Sequence, residues 1–127
     1  MDPVPKSLRN WFVLHCIIDL FFAIPLFIFP EKFLALIGWP YFDPVTARLV
    51  AAALFGIGLE SWLGRNGSVD SYRGMLRLKV IWSAVAVAGV LITMLSIPEK
   101  PLIGWGLALV FAAFNVLWVY WWRRLGR

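Results

Sequence analysis

Polar and apolar positions are segregated along this chain into long apolar runs and short polar interruptions. The runs cover about 11–29, 46–64, 74–97 and 102–122. Each reaches the length of about 18 mostly apolar residues at which a helix can cross a bilayer. The interruptions carry the residues that stop and start helices. Phe29-Pro30 ends the first run, and Asp43-Pro44 opens the second as an N-cap with proline at the first helical position. Gly64-Arg65-Asn66-Gly67 closes that run, and Ser68 or Asp70 can cap the third helix, which therefore starts before the membrane does. Pro98-Glu99-Lys100-Pro101 is a tight connection to the fourth. The pattern predicts an all-α protein: an integral membrane four-helix bundle within one domain, residues 1–127.

The first interruption is not a plain loop. PEKFLALIGWPYFDP carries Phe33, Leu34, Leu36, Ile37 and Trp39 with few charges. It predicts a short interfacial helix or re-entrant turn between the first two spans. Such a segment either covers the outer end of the bundle or acts as a lid or lateral gate.

Composition agrees with the pattern. The chain is 61% hydrophobic with 8 tryptophans and a mean hydropathy of +0.80, more apolar surface than a soluble domain of 127 residues can bury. Net charge is +5. In a membrane protein this excess first reports topology, and it argues for the lipid bilayer as partner and against nucleic acid. Lys6, Arg9, Arg65, Arg73, Arg77, Lys79, Arg123, Arg124 and Arg127 fall on one side, against Lys32, Arg48 and Lys100 on the other. Both termini are thus expected in the cytoplasm, and the protein in the cell membrane. WVYWWRR supplies an aromatic belt and cationic anchors at the same interface. The N-terminal apolar stretch is too long for a cleavable signal peptide and ends without a small-residue cleavage pattern. The lone cysteine, Cys16, excludes an internal disulfide and is expected to pack as a small apolar residue.

The candidate chemistry lies in polar residues set inside these runs. WFVLHCIIDLFFAIPLFIFP holds His15 and Asp19, one helical turn apart. Counting 1.5 Å per residue from the inner end places His15 roughly 6 Å and Asp19 roughly 12 Å deep. Glu60 and Lys79 fall at roughly 6–8 Å, and Asn115 at roughly 10 Å. Each shares a helical face with small or polar residues: Glu60 with Gly56, Ala53 and Ala52, Lys79 with Ser83, Ala86 and Thr93, and Asn115 with Ala108 and Gly104. Small residues mark close helix contact in membranes. His15, Asp19, Glu60, Lys79 and Asn115 are therefore expected to form one inner-half polar cluster. Intramembrane ionisable residues are functional-site candidates by default. The plainer readings are a structural Glu60–Lys79 ion pair, a snorkelling Lys79, and Asn115 as an interhelical clip. Arg48, near the outer end, is expected to meet Asp43 or a lipid phosphate. No HExxH, CxxC, GxSxG or glycine-rich phosphate loop is present. With one histidine a metal site is not expected, and no cofactor is indicated.

RLVAAALFGIGLESWLGR and LRLKVIWSAVAVAGVL resemble small prokaryotic four-helix membrane proteins. The resemblance rests on Arg48 opening the second span, Glu60 and Ser61 near its end, and Lys79 and Trp82 in the third. A looser similarity is to DoxX-like four-helix proteins. The architecture also resembles the emopamil-binding superfamily, which implies acidic residues in a lipid-accessible pocket. Three functions are compatible with this reading. The cluster binds or transports an ion, proton or amphipathic small molecule, with a homodimer supplying more wall for a pore. Alternatively the protein is a structural or assembly component whose cluster only fixes helix packing. Third is an intramembrane isomerase-like enzyme on a lipophilic substrate, with Asp19, Glu60 and His15 as acid and base.

Overall fold

A computed structural model describes residues 3–126. Among them are five helices: α1 (Lys6–Ile28), α2 (Pro30–Leu36), α3 (Pro44–Leu63), α4 (Val69–Ser96) and α5 (Leu102–Leu125). α1, α3, α4 and α5 are each long and apolar enough to cross a membrane. These point to a multi-pass membrane protein, and α2 is the short helix expected between the first two spans. The chain divides into two compact units, Met1–Tyr72 and Arg73–Arg127.

The helix ends have local causes. Pro30 disfavours helical backbone at the residue before it, and Phe29 accordingly sits at φ −135°, ψ 67°. Phe29 closes α1 through its N–H to the Pro25 carbonyl and opens α2 by accepting from Phe33 N–H. α2 stops at Gly38, whose φ of +87° is a left-handed conformation that glycine adopts without steric cost. Its N–H donates to Ala35 O, and Trp39 N–H to Leu34 O. Asp43 caps α3 as expected, accepting from Thr46 N–H at 2.7 Å, with Pro44 in the first turn. Hydrogen bonds from Thr46, side chain first and then backbone, hold the Asp43 carboxyl below its ordinary range. Ser68 fills the cap position ahead of α4, its Oγ accepting from Ser71 N–H at 3.2 Å. α1 and α4 each begin about a turn before the apolar run they contain, so their first turns carry polar residues such as Lys6, Arg9 and Asp70.

In the first unit α1 lies along α3. Contacts between Arg9 and Arg65, Asp19 and Gly58, and Arg48 and Phe27 run in opposite senses along the two helices, so the pair is antiparallel. The buried stripe of α1 is Leu8, Phe12, His15, Cys16, Asp19, Ala23 and Leu26, a helical period of three to four residues. The buried positions of α3 are small: Ala47, Ala51, Gly58 and Ser61. Small side chains let two backbones approach closely where lipid-exposed apolar surface gives no drive to associate. Leu26, Phe33, Ala47 and Ala51 form a core where α2 meets both helices. At the other end Tyr72 stacks on Phe12 with centroids 4.5 Å apart, and its hydroxyl donates to Arg65 O at 2.6 Å. Arg9 donates to the same carbonyl.

In the second unit Arg73 reaches Leu125 O, Asn115 reaches Val80 O, and Gly104 faces Met94. α4 and α5 are therefore antiparallel. Arg73 supplies a cation to the otherwise unpaired carbonyls ending α5. Outside these stripes the long helices present large apolar side chains outward, among them Ile17, Phe21, Leu49, Val85, Leu109 and Val116. That surface is the one a hydrocarbon solvent requires.

Candidate polar site

His15 and Asp19 are the centre of the site in the first unit. One turn apart on α1, they place His15 Nε2 3.3 Å from Asp19 Oδ1. Each keeps only 6% of its surface exposed. The geometry matches an imidazole N–H donating to a carboxylate, with the imidazole neutral or cationic. Across from Asp19 stands Gly58 of α3. A Cβ there would lie 2.8 Å from Asp19 Cβ and 3.4 Å from Oδ2. Only glycine allows α3 to approach this closely, and the approach helps bury the carboxylate. Ser61, one turn farther along α3, is also buried and bonds back to Ile57 O at 2.7 Å.

Glu60 does not join this site. It is exposed, as are Gly56 and Ala52 of its expected face, and its carboxylate has no hydrogen-bond or ion-pair partner among the described residues. The cause is rotational. α3 carries small residues on two faces, and the one defined by Ala47, Ala51, Gly58 and Ser61 packs against α1. Glu60 lies about 100° around the helix from Ser61, near the end of α3, where a carboxylate can reach the interface.

The second unit gathers Lys79, Ser83 and Asn115. Lys79 and Ser83 are buried on the same face of α4, as expected. Asn115 Nδ2 donates to Val80 O and to Ser83 Oγ, both at 3.0 Å, and Ser83 Oγ donates to Lys79 O at 2.7 Å. Asn115 is thus an interhelical clip that satisfies its amide on the backbone and hydroxyl of α4. The ammonium of Lys79 lies 5.0 Å from the Trp118 ring centroid, within cation–π range. Gly104 and Ala108 are buried on the stripe expected for Asn115.

Arg48 stands at the opposite end of the first unit. Its Nε donates to Phe27 O at 3.0 Å, and not to Asp43, whose carboxylate is taken by Thr46. The carbonyls of the last turn of a helix lack intrahelical partners, and Arg48 supplies one for α1. No group of three or more His, Cys, Asp or Glu among the described residues is placed to hold a metal ion.

Gly58 and Trp118 join these sets without having been singled out in the sequence, and Ser61, noted there only for a family resemblance, was not expected in a polar set. The signal for Gly58 and Ser61 was their spacing from Ala47 and Ala51. Trp118 had none that separated it from the aromatic belt. Comparison with known proteins finds no matching family model, no matching curated protein and no matching solved structure.

Proposed function

We propose that the chain is an integral four-helix bundle of the cell membrane, with both termini cytoplasmic, that binds and conducts a small cation, in the first place a proton, through the His15–Asp19 pair. The observation that supports this is the burial of two ionisable side chains, in mutual contact, inside an otherwise apolar helix. Such a placement is destabilising unless the groups are paired or used. A histidine and a carboxylate in contact hold one exchangeable proton between them, which is the chemistry of a relay. Glu60, exposed near the same end of α3, offers a carboxylate at the cytoplasmic entrance. Four helices make a thin wall around a conducting path, and a homodimer built on the outward apolar faces supplies more.

The second reading is an assembly protein whose polar groups only fix helix register. The Asn115 clip and the tight seat of Asp19 on Gly58 favour it.

Proton flux separates the two. Proteoliposomes loaded with a pH-sensitive dye and given a valinomycin-driven potassium potential should acidify faster with the wild-type protein than without protein. Asp19→Asn and His15→Gln should remove the difference, and Asn115→Leu should keep it. Wild-type flux equal to that of empty vesicles, or full flux in Asp19→Asn, would refute the relay.

A further inference from the structure

A site of different chemistry lies at the end of the first unit where α1 gives way to α2. Two hollows adjoin there and share Phe42. The larger, about 360 Å³, is lined mainly by apolar and aromatic side chains including Leu26, Trp39, Tyr41 and Val50. The smaller, about 260 Å³, is lined by Glu31, Lys32, Pro44 and Arg48 as well as Phe42. We propose that the two together bind one anionic phospholipid, an acyl chain in the larger hollow and the phosphodiester headgroup in the smaller.

Charge identifies the occupant. Lys32 and Arg48 against Glu31 leave the smaller hollow with one net positive charge. The Lys32 ammonium has no side-chain partner among the described residues. Arg48 spends only Nε on Phe27 O, so its terminal guanidinium nitrogens remain for a phosphate. Glu31 offers an acceptor to headgroup hydroxyls. The Asp43 carboxylate keeps its charge but lines only the larger hollow, where Thr46 N–H engages it at the start of α3, and it is not part of the lining of the smaller, headgroup hollow. The wall is preformed. The Gly38 turn and the Trp39 N–H bond to Leu34 O fold the segment back, and Trp39 and Tyr41 stack edge to face with centroids 5.7 Å apart. An amphipathic aromatic wall beside cations is the arrangement that seats at the headgroup level of a bilayer.

The test is native mass spectrometry of the full chain in detergent, with phosphatidylglycerol or phosphatidylcholine of identical chains added. One phosphatidylglycerol should be retained, preferred by about fivefold per contacting cation. Lys32→Gln, which breaks no bond in the fold, should lower that preference by about fivefold, and Lys32→Gln/Arg48→Gln should abolish it. Val50→Trp, which fills the larger hollow from an exposed position, should reduce retention of both lipids. Millimolar inorganic phosphate should not displace the lipid. Equal retention of the two lipids overturns the proposal. So does an unchanged preference in the folded Lys32→Gln variant, or displacement by phosphate alone, which would make the occupant a free anion.

Discussion

Replacing Gly58 by alanine tests the closest approach of α1 and α3. The added methyl would sit 2.8 Å from Asp19 Cβ and 3.4 Å from its Oδ2. Asp19 Cβ cannot swing aside, since it is fixed to the α1 backbone, so the two helices must separate or Asp19 must move with its turn. Overpacking of this kind costs about 1–3 kcal/mol. Alanine recovers about 0.8–1 kcal/mol in helix propensity, which leaves a net loss between about zero and 2 kcal/mol, and the backbone-fixed contact at Asp19 Cβ puts it at the upper end. Gly56 is the internal control, two residues away on the same helix, with no atom within 4 Å of an added Cβ. Gly56→Ala should therefore gain up to about 1 kcal/mol from propensity alone. Both variants are measured by reversible unfolding in mixed micelles, titrating sodium dodecyl sulfate and following tryptophan fluorescence. Gly58→Ala should unfold at lower denaturant than wild type and Gly56→Ala at equal or higher. Equal stability of the two variants would show that α3 does not seat on Asp19.

Further outcomes follow from the other contacts. Asn115→Leu should cost about 0.6–1.7 kcal/mol, the range for interhelical bonds in membranes, and a double-mutant cycle with Ser83→Ala should show coupling; strict additivity would deny the clip. Asp43→Ala should lower the thermal midpoint at neutral pH. The Asp43 carboxyl is depressed in the folded state, so its contribution is present above the unfolded-state value and lost as pH falls through the folded one. The gap to wild type should thus narrow on acidification, and a constant gap would deny the charged cap. In a Cys16→Ala background, cysteines at Gly67 should be labelled from the cytoplasmic side, and those at Ala35 and Glu99 from the opposite side. The reverse pattern would invert the orientation.

Much of this arrangement was legible in the sequence because its causes are local. Phe29-Pro30, Asp43-Pro44 and Ser68 set helix ends through backbone chemistry that needs no tertiary context. The contact of His15 with Asp19 follows from one turn of helix, and the stripe of Asn115, Ala108 and Gly104 from its period. The face of α3 was not legible. Ala52, Ala53 and Gly56 read as a contact stripe as well as Ala47, Ala51 and Gly58 do, and only the packing against α1 selects between them. That choice turns Glu60 outward and Ser61 inward. The partner of Arg48 was equally hidden. Phe27 O is available because it lies in the last turn of α1, but its meeting with Arg48 depends on how α1 and α3 align.

The central claim, that His15 and Asp19 hold an exchangeable proton inside the membrane, can be read at one atom pair. His15 is the single histidine of the chain, so selective ¹⁵N labelling gives one imidazole, observable by solid-state NMR in bilayers. The account predicts that both ring nitrogens respond to bulk pH in the wild type and that Asp19→Asn alters the response. An imidazole spectrum that ignores pH and is unchanged by Asp19→Asn would contradict it.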